Sequence, residues 1–264
     1  MIKLSDIHVT FNKGTPLETK ALRGVDLTVP TGEFLTVIGS NGAGKSTALN
    51  VVAGTIETER GSVRVDERDV TNLPSHKRAP FLSRVFQDPK MGTCETLTIM
   101  ENFALAHGRT APRGLRMASD RAMREEVAER IAPLGLGLER RLDDKVGLLS
   151  GGQRQAVSLL MATTGHTKVL LLDEHTAALD PKTGEFVLDL TRTLVADLKL
   201  TAIMVTHSMA QALSTGDRTV MLHAGTIIFD AAGEERAKLG VEDLLHLFKE
   251  SQGADISDDS LLLN

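Results

Sequence analysis

The run Gly39-Ser-Asn-Gly-Ala-Gly-Lys-Ser-Thr47 limits what this chain can fold into more than any other stretch. It fits G-x-x-x-x-G-K-[ST], with Gly39, Gly44, Lys45 and Ser46 at the fixed positions. The apolar run Phe34-Leu-Thr-Val-Ile38 precedes it and reads as a buried parallel strand. Lys45 to Ala53 follows, with Leu49, Val52 and Ala53 spaced for one helix face and Gly54 placed to end the helix. Strand, glycine loop and helix start are the setting in which such a loop cradles a polyphosphate. Glycines let successive N–H groups turn inward as an anion nest, and the helix adds its positive dipole end. The cradle takes in Ser40, Asn41, Gly42, Ala43 and Thr47 with the fixed positions. Lys45 supplies a point charge to the outer phosphates, and the Ser46 hydroxyl is placed to ligate Mg²⁺.

Composition narrows the class further. The chain has 264 residues, enough for one large domain or two joined ones. A net charge of -5 argues against a surface built mainly to hold nucleic-acid phosphates. The single cysteine, Cys94, excludes an internal disulfide framework and fits a reducing compartment. Met1 to Asp6 lacks the apolar core of a signal peptide, and the aliphatic run Val169 to Leu172 is too short to cross a bilayer. A membrane role would therefore go through a separate protein.

Along the chain, residues 1 to 35 read as short strands, with Leu4, Ile7 and Val9 in the first and Val25, Leu27 and Val29 in the second. Pro30-Thr-Gly32 is a turn. Phe11 closes the first strand; its residue type alone favours a core position, whereas an exposed aromatic there could stack on a nucleobase. Gly61 to Val70 reads as a strand pair turning at Asp66-Glu-Arg68, and Phe81 to Phe86 as a strand that Pro89 stops. From about 90 to 160 the character is helical. Met123, Val127, Ile131 and Leu134 make an apolar stripe with charges off it. Ser150-Gly-Gly-Gln153 is a small-residue corner opening a helix, either an anion site or a plain N-cap.

Lys168-Val-Leu-Leu-Leu-Asp-Glu174 reads as a strand buried on both faces and running into two carboxylates. Asp173 falls at the strand's C-terminal end, where sites in open parallel sheets form, and can hold Mg²⁺; Glu174 can polarise an attacking water. Asp180 and Pro181 announce a helix with a buried stripe of Phe186, Val187, Leu190, Leu194, Val195 and Leu198. Thr201 to Thr206 is the next buried strand, with His207 at its end: either an ordinary structural or surface histidine or, since it shares the strand-end place with Asp173 and Glu174, a group at the γ-phosphate. A hairpin around Gly225 and a short amphipathic helix through Val241, Leu244, Leu245 and Phe248 close the fold. Residues 251 to 264, with Asp255, Asp258 and Asp259, read as a fraying tail.

In this order the pieces resemble the nucleotide-binding subunit of ATP-binding cassette transporters. Gly39 to Thr47 matches the Walker A motif, Gln87 the Q-loop glutamine, and Leu149-Ser-Gly-Gly-Gln153 the family signature. Val169 to Glu174 matches Walker B with its catalytic glutamate, Ala177 to Asp180 the D-loop, and His207 the switch histidine. Phe11 falls where the family places its adenine-stacking aromatic. One departure stands out: after Asp173-Glu174 the family usually has Pro-Thr, and this chain has His175-Thr176. His175 is either a tolerated turn residue or a second titratable group beside Glu174. Asp-Glu-His-Thr-Ala-Ala-Leu-Asp180 is similar to a subgroup of bacterial cassettes for amino-acid or tryptophan/tyrosine uptake.

The resemblance implies an α/β fold: a P-loop NTPase (RecA-like) core with an antiparallel β-subdomain and an inserted helical subdomain. It implies a cassette over residues 1 to 240, with a C-terminal helix and acidic tail at 241 to 264. It implies ATP and Mg²⁺ as cofactors, with Ser46, Gln87 and Asp173 at the metal, and Glu174 and His207 as catalytic residues. It implies a head-to-tail homodimer in which Ser150, Gly151, Gly152 and Gln153 of one copy complete the ATP site of the other. A membrane permease would dock on the segment from about Asp88 to His107, on the cytoplasmic side of the membrane, with an extracytoplasmic substrate-binding protein behind it and no nucleic acid. The function expected is an ATPase that powers uptake. The alternatives are a soluble family ATPase acting in DNA repair or translation, and a scaffold that binds ATP without turning it over.

Overall fold

The computed structural model describes residues 1–109 and 120–252. The chain order is β1 (Ile2–Phe11), β2 (Thr19–Val29), β3 (Phe34–Ile38), α1 (Lys45–Ala53), β4 (Arg60–Val65), β5 (Arg68–Asp69), α2 (Ser75–Arg78) and β6 (Leu82–Val85). Then come α3 (Ile99–His107), α4 (Arg121–Ile131), α5 (Gly151–Ala162), β7 (Val169–Asp173) and α6 (Pro181–Asp197). The chain continues through β8 (Thr201–Val205), α7 (Met209–Ser214), β9 (Arg218–His223), β10 (Thr226–Ala232), α8 (Gly233–Ala237) and α9 (Val241–Gln252). Two compact units result, Met1–Arg78 with Val195–Asn264, and Ala79–Leu194.

The first unit carries an antiparallel sheet in the order β2-β1-β4-β5 and the strand run β10-β9-β3-β8. In the run, β3 lies parallel to both β8 and β9, and β10 returns antiparallel to β9. Every residue of β3 and of β8 is buried, as expected for parallel strands covered on both faces. The first two strands are long rather than short, with ten and eleven residues. Their pattern explains how. Ile2 and Leu4 are buried, then the phase flips to Ile7 and Val9. A period of two cannot absorb an odd step, so the ladder shifts register between Leu4 and Ile7, and Asp6 takes a left-handed φ of 51° there. Near the C-terminus, Leu244 and Phe248 of α9 pack with Ile38, Met209 and Met221, so this helix joins the first unit's core. Residues 253–264 of the expected acidic tail lie outside the described residues.

In the second unit β6 runs parallel to β7, Leu82 opposite Val169 through Val85 opposite Leu172. Its helical core gathers Ile99 and Phe103 of α3, Val127 and Ile131 of α4, and Val157 and Leu160 of α5. The expected stripe is buried at Val127 and Ile131 of α4 and at Leu134 in the 3₁₀ turn that follows, and Met123 is partly buried against it. Pro89 does more than stop a strand: it opens a single 3₁₀ turn, Pro89–Gly92, whose N-cap Asp88 accepts from the Lys90 amide. The stripe expected on α6 needs one correction. Leu198 is 44% exposed, because α6 ends at Asp197 and Lys199 turns left-handed at φ 50°; Leu200 goes inside instead. Leu188 and Thr191 join Val187 and Val195 on the buried face.

Candidate functional site

The first unit holds the phosphate loop. β3 delivers the chain to Gly39, and α1 begins at Lys45 behind the N-cap Gly44. Two glycines are dictated by contact. A Cβ on Gly39, at φ 147°, would lie 2.1 Å from the Leu222 carbonyl oxygen. A Cβ on Gly44, at φ 102°, would lie 2.5 Å from that of Ala21. The loop is thus pressed against its neighbours, and Gly225 donates its N–H to Ala43 O at 3.0 Å to brace it from the β9–β10 turn. Lys45 is buried at 6% exposure, and its Nζ donates to Gly39 O at 2.6 Å and Ser40 O at 3.0 Å. The ammonium therefore stays inside the curve of the loop. Asn41, Gly42 and Ser46 are exposed along it, and Ser40 and Thr47 are half-buried.

The far end of α1 is fixed by a residue that motif reading passes over. Arg78 is 2% exposed and donates to Val51 O at 2.9 Å, Val52 O at 2.8 Å and Leu73 O at 2.8 Å. A guanidinium on the last carbonyls meets the negative end of the helix dipole while the phosphate end stays free. Burial holds its pKa below the usual arginine value. Its sequence signal is faint, the last of three consecutive basic residues in a four-residue helix.

His207 lies two residues beyond β8. The register sets Val37 opposite Val205, and the same offset carried two residues on puts His207 level with Gly39. It is half-buried, just before the α7 N-cap Ser208. Phe11 is 38% exposed at the end of β1, opposite Thr19. The core position expected from its residue type is not what the fold gives it, because the strand ends there and the next residue, Asn12, turns at φ 51°.

The second unit holds the carboxylates. Asp173 ends β7, and continuing the β6–β7 register puts Gln87 level with Glu174. Gln87, Asp173 and Glu174 thus share one end of this strand pair. Arg84 Nη2 donates to Asp173 Oδ2 at 2.5 Å, with both side chains only 15% exposed. The guanidinium also sits over the Phe86 ring, 4.7 Å from its centroid. Nothing in the motif spacing pointed to Arg84. Glu174 adopts a left-handed φ of 46°, and Ala177 donates to its carbonyl at 3.0 Å to close the turn.

The Ser150 corner is an N-cap in this structure. Ser150 Oγ accepts from the Gln153 amide, and Gln153 Oε1 accepts from the Ser150 amide, a complete capping box. Gly152 is closely packed: a Cβ there would lie 2.0 Å from Thr183 Cγ2 on α6, so that side chain would have to shift. Gly151 has no such crowding and is exposed. Next along α5, Arg154 pairs with Glu95 at 2.5 Å and Gln155 donates to Phe86 O at 3.1 Å. A cleft of about 260 Å³ opens nearby, lined by Arg84, Met91, Cys94, Asn102, Leu105 and Arg109 among others. Met91 is 70% and Leu105 57% exposed.

The oxygen donors that each unit offers by itself suit magnesium better than a structural metal. Among the described residues no three His, Cys, Asp or Glu side chains gather as a metal cage. Magnesium needs none, since it keeps waters and is held through one or two protein oxygens plus the substrate's phosphates. The Ser46 hydroxyl, exposed on the first turn of α1, and the Asp173 carboxylate are hard donors of that kind.

A glycine loop that cradles phosphates at a helix start, and a buried strand ending in two carboxylates, define a P-loop ATPase. The family model for ABC transporters matches residues 22–177, more than half of the chain. The chain belongs to the ABC transporter family, as an ATP-binding subunit that hydrolyses ATP with Mg²⁺. It is 40% identical over 249 residues to a tyrosine transport ATP-binding protein of Clostridioides difficile, covering 94% of this chain and 99% of the relative. It is 35% identical to the spermidine/putrescine import ATP-binding protein PotA of Haemophilus influenzae, covering 89% of this chain but 59% of PotA. Among solved structures it is similar to the cassette MJ0796 in a dimeric, post-hydrolysis state bound to ADP and Pi. That likeness has a TM-score of 0.75 at 30% identity and covers 88% of this chain and 98% of the cassette. These likenesses bear out the cassette fold expected from the motifs, and they favour transport over DNA repair or translation.

Proposed function

We propose that this chain is the motor of an importer for an amino acid of the tyrosine class, acting through a separate membrane permease. The observation that carries the reading is the near end-to-end match to a tyrosine transport subunit. The phosphate loop and the two carboxylates supply the chemistry such a motor needs. Lys45 neutralises the outer phosphates, while Ser46, Gln87 and Asp173 serve Mg²⁺. Glu174 orients and polarises the attacking water, and His207 contacts the γ-phosphate. Phe11 stacks on the adenine. Ser150, Gly151, Gly152 and Gln153 of a second copy, arranged head to tail, close the site.

Among the described residues no helix is long and apolar enough to cross a membrane. In this reading the permease is a second protein. Its docking place is the cleft beside Met91 and Leu105, within the expected segment from Asp88 to His107. The cassette then sits on the cytoplasmic face of the membrane, and an extracytoplasmic binding protein delivers the cargo.

Three measurements test the reading. Glu174→Gln should cut ATP hydrolysis by about a thousandfold while ATP still binds and dimers accumulate. Wild-type turnover by that variant would show that Glu174 is not the base. Met91→Asp with Leu105→Asp should abolish co-purification with the permease and leave ATP binding intact. Permease capture by that double variant would remove the cleft as the docking place, and reconstituted vesicles that take up no tyrosine-class amino acid would remove the cargo.

A further inference from the structure

His175 stands where the family pattern has proline, and it is buried at 2% exposure. Its Nε2 lies 2.9 Å from Thr191 Oγ1 on α6. Thr191 is itself fully buried, and its hydroxyl donates to Val187 O, one turn back, at 2.8 Å. A hydroxyl has one proton to give. That proton is committed to Val187, so the oxygen accepts from His175. The ring therefore carries its hydrogen on Nε2 and a lone pair on Nδ1. Burial pushes the ring's pKa down to about 4, which agrees with a neutral donor. The residue before it, Glu174, holds a left-handed φ of 46°. A non-glycine residue keeps that conformation only where its surroundings impose it.

We propose that His175 is a positioning residue for Glu174, its hydrogen bond to Thr191 tying the strand-end turn to α6 so that the carboxylate is held at the angle hydrolysis needs. A proline at this place would restrict the turn through its ring. Here a side-chain hydrogen bond does it. The inference rests on Glu174 being the group that polarises water.

The test uses the full-length protein, with kcat, KM for ATP, binding of a fluorescent ATP analogue and the melting temperature measured together. His175→Leu removes the donor, and Thr191→Val removes the acceptor at constant shape. Each should lower kcat about ten- to hundredfold, the scale of a misplaced catalytic group, with KM and analogue binding unchanged. The double variant should be no slower than the slower single one, because both cut the same link. His175→Gln, whose amide reaches the same oxygen, and Thr191→Ser should return kcat close to wild type. A role confined to packing would lower the melting temperature without a selective loss of kcat and without rescue by the polar variants.

A folded His175→Leu protein with wild-type kcat overturns the inference, and so does a loss shared equally by kcat and analogue binding. If His175→Leu does not fold, Thr191→Val against Thr191→Ser decides in its place. Glu174→Gln, measured alongside, separates the two readings. If it turns over ATP normally, the base assignment fails. If it is inactive while His175→Leu is fully active, only the positioning role fails.

Discussion

The phosphate loop and the carboxylate end of β7 are built in opposite ways. The loop is made of backbone: glycines pressed against carbonyls, a helix start, and a lysine held by its own loop oxygens. The carboxylate end is made of side chains held by other side chains: Asp173 by Arg84 and His175 by Thr191. Where a loop glycine is pressed on a backbone carbonyl, as Gly39 and Gly44 are, it tolerates almost no added atom, because the carbonyl cannot give way. A side-chain site tolerates added atoms and instead depends on the charge and donor state of its neighbours. If this contrast is right, steric changes should dominate in the first region, while polar and pH effects should dominate in the second.

The largest effect should come from Gly39→Ala. The new Cβ meets a backbone carbonyl at 2.1 Å, and φ 147° is strained for alanine. Together these should cost about 4 kcal/mol or more. ATP affinity, followed by fluorescence titration, should fall at least a hundredfold. Gly42→Ala is the control. Its φ is 78° but no atom lies within 4 Å of the new Cβ, so only the conformational cost applies, about 1 kcal/mol. Equal losses in the two variants would break the contrast, since crowding would then not be what the loop responds to.

Next comes a pH effect in the second region. His175 has a folded pKa of about 4 against an ordinary value of 6.5, and the cause is burial. Below 6.5 the unfolded chain takes up a proton that the folded chain refuses. The stability this neutral ring supplies is therefore full above 6.5 and drains away as pH falls toward 4. The amount is about 3 kcal/mol in all, at most about 1.4 kcal/mol per pH unit. Denaturant midpoints from pH 7.5 to 4.5 should show it, and His175→Gln should flatten that part of the curve. An unchanged curve in the variant would mean that other groups carry the acid sensitivity.

Gly152→Ala follows. Its Cβ would lie 2.0 Å from Thr183 Cγ2, a side-chain methyl that can give way at the expense of the α5–α6 packing. About 2 kcal/mol of stability should go, the usual cost of overpacking. Gly151→Ala meets only Leu179 at 3.6 Å and should cost far less. Melting curves of the pair check this, and a larger loss at 151 than at 152 would contradict it.

The same contrast explains what could be read from the residues alone. The strand-loop-helix at Phe34 to Ala53 was legible because backbone sites write themselves as glycine patterns at fixed spacing. The buried strands β3, β7 and β8 were legible as apolar runs. Arg78, Arg84 and Thr191 were not, because each acts on a partner brought near only by the fold. Arg84 precedes Asp173 by most of the second unit's length, and no local period links them. The bulge at Asp6 shows in the sequence only as a break in alternation between Leu4 and Ile7. Leu198 failed for a local reason: the apolar period continued one residue past the end of the helix.

The smallest effect should come from Arg84. Its guanidinium donates to Asp173, the carboxylate assigned to Mg²⁺, at 2.5 Å. A cation approaching that oxygen meets a positive charge already bound there. Binding of Mg²⁺ then selects conformers in which the pair has opened, and its apparent affinity is reduced by the fraction that has. Arg84→Gln keeps a donor but removes the charge. The Mg²⁺ concentration giving half-maximal ATP binding should fall about threefold, a shift of under 1 kcal/mol. The variant should also melt a little lower, because the part-buried pair is lost. A rise in the Mg²⁺ requirement would mean that Arg84 steadies the carboxylate for the metal instead of competing with it, and the carboxylate end would then be preorganised by side chains as firmly as the phosphate loop is by its backbone.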